Sequence, residues 1–479
     1  MADFEVTRVS APSSQQGPKL VGQGAQGAAF QGYSVALSGV GNTALIGGYA
    51  DNGRTGAVWV FTRNDKIWTQ QGPKLVPSGL NGAARCGSAV AISADGNTAI
   101  VTGPNHDNDK GGAWVFSRTG STWTQQGDNL RPAIVTNSAF FGAAVSISAD
   151  GNTVIVGANN YARTGTTSAT GAAWIFVRSG SRWSQQGDPL IGTGALGNSM
   201  NQGVSVALSA DGNTAAIGAT LDSASVGAVW VFMRQSDQWT QQGAKIVGSG
   251  AIGASGQGQC VALSADGNTL AIGASNDDPS KVPAKPFAVG AAWVFSRGTT
   301  GWAQQSKLVA SGAVGNAGQG SSVSLSADGD TLLVGGLQDD QLIGATWVWR
   351  RNGGQWTQFG KLVGRPVVGI AGQGASAALS ADGSMALVGG QRADNDEGGA
   401  WFFIAASAPT ITGFTPVRGP VGTLVTITGT GFLGLVRVEI GGVAALPISN
   451  DGTTLVAMVM PGATTGVVKV TTAAGSVSS

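Results

Sequence analysis

The six letters "SADGNT" begin at Ser93 and return at Ser148, Ser209 and Ser264. Close variants stand at Ser38 ("SGVGNT"), Ser326 ("SADGDT") and Ser380 ("SADGSM"). The motif's Asp falls at 95, 150, 211, 266, 328 and 382, with Val40 in the first copy; the spacings are 55, 55, 61, 55, 62 and 54. A second landmark keeps step: "GAVWVF" at Trp59, then related strings at Trp114, Trp174, Trp230, Trp293, Trp347 and Trp401. A period of this length, rich in short strand-like segments, means a propeller or another repeat array, in which neighbouring copies bury each other's apolar faces.

Each copy divides into four segments, lettered a to d. In residues 204–247 they read "SVALS", "TAAIGA", "AVWVFMR" and "WTQQGAKI", separated by turn residues. Such runs are the hairpin signal. The expected fold class is all-β, a seven-bladed β-propeller with segment a innermost. The seventh copy lacks its segment d, whose counterpart is "QQGPKLVG" from Gln15. The N-terminal segment should therefore supply the outer strand of the last blade and remove an open edge.

Between c and d, an aromatic residue and a Trp stand seven apart in six copies, from Phe61/Trp68 to Trp349/Trp356. Two-residue loops such as Asn64-Asp65, Thr119-Gly120 and Asn352-Gly353 would set each pair directly opposite. Fourteen tryptophans suggest a sugar-stacking platform. Their strand register points instead to the core between blades.

Charged residues are 11% of the chain, against roughly a quarter in average domains, and the net charge is +1. With no basic run, nucleic acid and anionic membrane surfaces are not expected partners. No segment has the apolar length of a membrane span, so no membrane insertion is expected, and "MADFEVTRVS" does not read as a secretory signal. Cys86 and Cys260 stand at non-equivalent repeat positions and read as small buried residues.

The run "G-x-S-V-A-L-S … G-A … G-A-x-W-V-F", with "FFGAAVSIS" and "IVGA" in the third copy, resembles FG-GAP repeats. These form the integrin alpha-subunit propeller and occur in many bacterial surface proteins. The resemblance covers about residues 13–405. Calcium-binding members carry a longer a–b loop with several carboxylates. Here "ADGN" offers one Asp, whereas calcium wants six to eight oxygens, so the motif reads as a tight turn. "PTITGFTPVRGPVGT" and "VTITGTGF" resemble an IPT/TIG domain, an immunoglobulin-like sandwich. Such domains usually finish with a strand after the "AAGS" turn, so the domain reads as incomplete, its last edge open to a partner. The expected organisation is a tail at 1–12, the propeller at 13–405, a linker at 406–409 and an Ig-like β-sandwich at 410–479.

Antiparallel strands place the b–c and d–a loops on one face, and the b–c loops vary most. Variable loops on a rigid scaffold are where binding usually resides. The candidate ligand-binding residues are Asp51, Asn52, Arg54, Asn105, His106, Asp107, Phe141, Tyr161, Arg163, Asp277, Asp339, Arg392 and Asp394. The loops count as an acidic face, with Tyr161, Phe140 or Phe141 exposed to stack on sugar rings. "DND" at Asp107 and Asp394 makes Asp107, Asp109, Asp394 and Asp396 a weak candidate calcium site, the only cofactor considered. His106 is the single histidine; no nucleophile motif or zinc spacing accompanies it. The expected function is extracellular or cell-surface recognition of a protein or glycan, without catalysis. The alternatives are a structural subunit self-associating through the IPT/TIG domain and, lower, a glycosidase with paired carboxylates.

Overall fold

The computed structural model describes residues 10–132, 138–162, 169–197, 199–279, 288–406, 408–432, 435–450, 452–472 and 475–479. The chain divides into two compact units. One is Gly17–Phe402; the other joins the residues up to Gln16 with Phe403–Ser479.

Six repeats each fold as an antiparallel sheet in the order a-b-c-d, as in Ser34–Leu37, Thr43–Gly48, Ala57–Asn64 and Ile67–Gln70. Strand b is buried along its whole length, and strand c buries its apolar first half. Trp59, Trp114, Trp174, Trp230, Trp293, Trp347 and Trp401 are nearly inaccessible, as their register implied. Their bulk is accommodated by glycine: a Cβ on Gly22 would stand 2.0 Å from the Trp59 ring.

The a–b turns join the sheets into a ring. Gly39 N–H donates to Ala94 O, Ala94 to Ala149, Ala149 to Ala210, Ala210 to Ala265, Ala265 to Ala327, Ala327 to Ala381, and Ala381 back to Gly39, at 2.7–3.0 Å. These seven backbone bonds close on themselves. The all-β propeller class follows from this closure and from the four-stranded sheets.

The sheet with Ser376–Leu379, Met385–Gly389 and Ala400–Ala405 takes its fourth strand from Pro12–Gln15, as the missing seventh d segment implied. Gln15 pairs with Phe403 and Pro12 with Ala405. Leu20 and Ala400 exchange backbone hydrogen bonds at 2.8 and 3.0 Å.

The c–d register differs from the expected one. Trp68 lies opposite Arg63, and Phe61 opposite Gln70, so the loop is Asp65-Lys66. The same shift pairs Arg118 with Trp123, Arg178 with Trp183, Arg234 with Trp239, Arg297 with Trp302 and Arg351 with Trp356. Turn chemistry decides it: Asp65, Gly120, Gly180, Ser236 and Gly353 take φ of 47–62° as first loop residues, and tight hairpin turns want positive φ there. In the last five pairs the guanidinium lies over the indole at 5.1–5.6 Å. Each of these indoles also donates to a Gln of the preceding copy, as Trp123 Nε1 does to Gln71 Oε1 at 2.9 Å. The second tryptophan row therefore ties adjacent sheets together.

Within the second unit, residues from Thr410 form two sheets. One is Thr410–Thr415, Leu424–Thr430, Thr454–Met458 and Leu446–Asn450; the other is Val443–Ala444, Leu435–Ile440, Val468–Thr472 and Gly475–Ser478. Val425, Ile427, Phe432, Val438, Leu455 and Val470 form the core between them. A strand does follow the "AAGS" turn: Gly475–Ser478 pairs with Val468–Thr472, which corrects the expectation of a missing one.

Candidate recognition face

The repeated Asp-Gly turns spend their polar groups on themselves. Ser93 Oγ donates to the Asp95 carboxylate and accepts from Thr98 N–H at 3.0 Å; Asn97 donates to the same carboxylate from N and Nδ2 at 2.9 and 3.0 Å. Gly96 supplies the left-handed backbone at φ 72°. Burial opposes the charge on Asp95, but the bonds from Ser93 and Asn97, aided by Arg118, outweigh it and hold the carboxyl below its ordinary value. Asp150, Asp211 and Asp266 repeat this pattern.

On the other face, one position recurs in every b–c loop. The carbonyls of Asp51, His106, Tyr161, Asp222, Asp277, Asp339 and Ala393 each accept the N–H of the glycine that opens strand c. Where the residue is Asp, its Oδ1 takes a backbone N–H from the d–a loop, as Asp51 does from Gln26 at 2.7 Å. Its Oδ2 meets a strand-d lysine: Asp51–Lys74, Asp222–Lys245, Asp277–Lys307 and Asp339–Lys361, at 2.5–2.6 Å. Lys74, Lys307 and Lys361 also lie over the ring of their copy's core tryptophan. Asp51, Asp277 and Asp339 are thus buried internal struts rather than ligand contacts. The face is not a free acidic surface, because the repeat brings a lysine to each of them.

His106 and Tyr161 fill the same position. His106 is 5% exposed, accepts Asn81 N–H on Nδ1 at 3.1 Å and packs edge-on to Trp114. Burial, then Arg131, lowers its pKa, with Asp107 opposing. Tyr161 packs edge-on to Trp174, and Phe141 is fully buried against Trp174 and Phe176. The exposure expected of Tyr161 and Phe141 is therefore wrong: their backbone positions turn both rings into the core. Phe140 is half-buried.

The candidate calcium ligands are engaged elsewhere. Asp107 binds Arg131 and Lys110, Asp109 accepts from Asn105 Nδ2 at 2.7 Å, Asp394 pairs with Lys19, and Asp396 with Arg392 at 3.2 Å. Among the described residues no three His, Cys, Asp or Glu side chains converge as a metal site would require. Asn52 and Arg54 are exposed, with left-handed backbone at φ 48° and 72°. Arg163 lies outside the described residues.

A further cluster belongs to none of these readings. Tyr49, at the end of the first strand b, lies 5.4 Å from Phe30 and 4.6 Å from Tyr33, and Arg85 sits over its ring at 5.8 Å. Tyr33 is 42% exposed. Burial, then Tyr49, raises its pKa, with Arg85 opposing. The seven-fold repeat acts as an internal control here. The column of Phe30 reads Phe30, Arg85, Phe140, Asn201, Gly256, Gly318 and Gly372, all with φ between 53° and 69°. Three copies use glycine, which takes this backbone freely; Phe and Arg pay about 1 kcal/mol for it. The columns of Tyr33 and Tyr49 hold no other aromatic residue. Phe30, Arg85 and Phe140 thus carry strain that the glycine of three other copies avoids, and two of them meet at Tyr49. Their signal in the sequence lies in the repeat columns, where an aromatic residue or Arg replaces Gly, and not in the acidic residues of the loops.

No curated protein sequence matches this chain. Among solved structures, Kuenenia stuttgartiensis hydrazine synthase is similar at 13% identity, covering 81% of this chain and 96% of that one, with a TM-score of 0.48. The Myceliophteria thermophila Cps50 (Swd1) β-propeller domain is similar at 9% identity, covering 78% and 96%, with a TM-score of 0.48. At the C-terminal end, residues 409–479 match the IPT/TIG domain in sequence.

Proposed function

We propose that the chain is a non-catalytic recognition protein of the extracellular or cell-surface kind, built on FG-GAP-like repeats of the bacterial surface type. It binds a protein or glycan through the face bearing the b–c and d–a loops. The observation that supports this reading is the Phe30–Tyr33–Tyr49–Arg85 cluster. It places Phe30 and Arg85 at a left-handed position where three of the seven copies use glycine, beside the rings of Tyr33 and Tyr49. Strain kept without structural need is a mark of functional selection. The buried loop carboxylates each hold a lysine instead of facing one another as a hydrolase pair would.

The test is binding of fluorescently labelled chain to intact cells and extracellular matrix, beside a Tyr33→Ala, Tyr49→Ala, Arg85→Ala variant. Saturable binding that the variant loses is expected. Binding retained by the variant would move recognition off this cluster, and no saturable binding at micromolar chain would end the recognition reading.

A second reading, assembly of the chain into a larger structure, is favoured by one feature of the C-terminal sandwich. Leu424 and Leu446 both pair with Met458 across one sheet, and with Ile448 they leave three apolar residues about half exposed. Contiguous exposed apolar surface marks interaction sites. Light scattering against concentration, with a Leu446→Lys, Ile448→Lys variant as control, decides it: a mass that stays at one chain removes this reading.

A further inference from the structure

We infer that the Phe30–Tyr33–Tyr49–Arg85 cluster is a subsite for an acidic saccharide, with a sugar ring laid on Tyr33 and a carboxylate held by Arg85. This deepens the recognition reading and rests on it.

Charge is the first argument. Among the loop carboxylates, Asp51, Asp107, Asp222, Asp277, Asp339, Asp394 and Asp396 have cationic partners. Arg85 and Arg54 have no carboxylate partner among the described residues, and they are neighbours, since Arg85 N–H donates to Arg54 O at 2.8 Å. Arg54 and Arg85 thus bring two cationic groups to the cluster, against the exposed carboxylate of Glu397, whose backbone carbonyl accepts Gln31 N–H at 3.0 Å. A guanidinium stacked on a ring is held in orientation while its N–H edge stays available, the geometry that grips a carboxylate with two parallel bonds.

The second argument separates a sugar from a peptide. Peptides dock on free strand edges or in apolar grooves. The backbone donors around this cluster are already used. Tyr33 N–H goes to Phe30 O, Asn52 N–H to Gln26 O, Arg54 N–H to Ala50 O, and Ser88 N–H to Arg85 O. What is left to a ligand is ring faces, phenolic hydroxyls and guanidinium. Tyr33 and Tyr49 meet at 64°, so the two rings do not cover each other face to face. An amphipathic ring with a polar tip suits a pyranose, which offers C–H groups on one face and hydroxyls at its rim.

The experiment is an array of acidic and neutral glycans, with each acidic member repeated in carboxyl-reduced form, probed with the full chain. The expected result is binding confined to acidic members, lost on carboxyl reduction and weakened by added salt. Arg85→Gln and Tyr33→Ala should each weaken it about tenfold or more, while Tyr33→Phe keeps it and Arg85→Lys falls between. Unchanged melting temperatures would show that these variants fold. Equal binding of neutral and reduced glycans, or indifference to Arg85→Gln, overturns the acidic-saccharide assignment and leaves recognition standing. No binding to any glycan, with cell binding retained in the assay above, overturns it in favour of a protein ligand.

Discussion

Phe30 and Arg85 hold a backbone conformation that Gly256, Gly318 and Gly372 adopt at the same repeat position. Arg85→Gly should release about 1 kcal/mol of backbone strain and lose a cation–π contact of similar size. Stability, read from urea unfolding, is expected to change by less than about 1 kcal/mol, while ligand binding falls. A large loss of stability would make Arg85 a structural residue. Titration also acts residue by residue. His106 has its pKa pushed below 6.5 in the folded chain, so just below pH 6.5 the unfolded chain binds a proton that the folded one refuses. Stability should fall as pH drops through that window, and His106→Gln should flatten the slope. The turn carboxylates of Asp95, Asp150, Asp211 and Asp266 lie below 3.8 when folded. Their contribution is full above about pH 4 and is lost as pH falls through the depressed values. Melting temperature against pH reads both windows.

The repeat column through Asp51 carries a second regularity at the level of the loop and its outer strand. Where the b–c loop has Asp51, Asp222, Asp277 or Asp339, strand d has Lys74, Lys245, Lys307 or Lys361. Where it has His106 or Tyr161, the outer position is Asn129 or Pro189, and beside Ala393 the lysine is kept as Lys19, which pairs with the next residue, Asp394. The exchange is coupled because a carboxylate left alone in that buried place is costly. His106→Asp should destabilise the chain by about 3 kcal/mol, and adding Asn129→Lys should recover most of it. Additive effects in that cycle would refute the coupling. The strands, their order and the closing role of the N-terminal segment were legible in the sequence, because period and turn residues act locally. The c–d register was not. The seven-residue step from Phe61 to Trp68 fits two loop placements, and only the positive φ at Asp65 decides between them. The site was legible only in part. Acidic loop residues look available in a string of letters, while the lysine that neutralises each one comes from a different strand.

At the scale of the whole molecule, closure depends on a short N-terminal strand and a circle of seven backbone bonds from Gly39 round to Ala381. Deleting residues 1–16 would leave Phe403–Ala405 with an unpaired edge. A lower melting temperature and concentration-dependent association are expected in calorimetry and light scattering; an unaltered melting curve would show that the strand is dispensable. The same closure sets a timetable for synthesis. Pro12 is made before its partner Ala405, which follows 393 residues later. At roughly 5–20 residues per second, that is a wait of about 20–80 s. The waiting segment is Pro-Ser-Ser-Gln, short, polar and opened by a proline. A hydrophobic strand in its place would seek other edges in the meantime. The composition of those four residues keeps a nascent end idle until the ribosome delivers its mate.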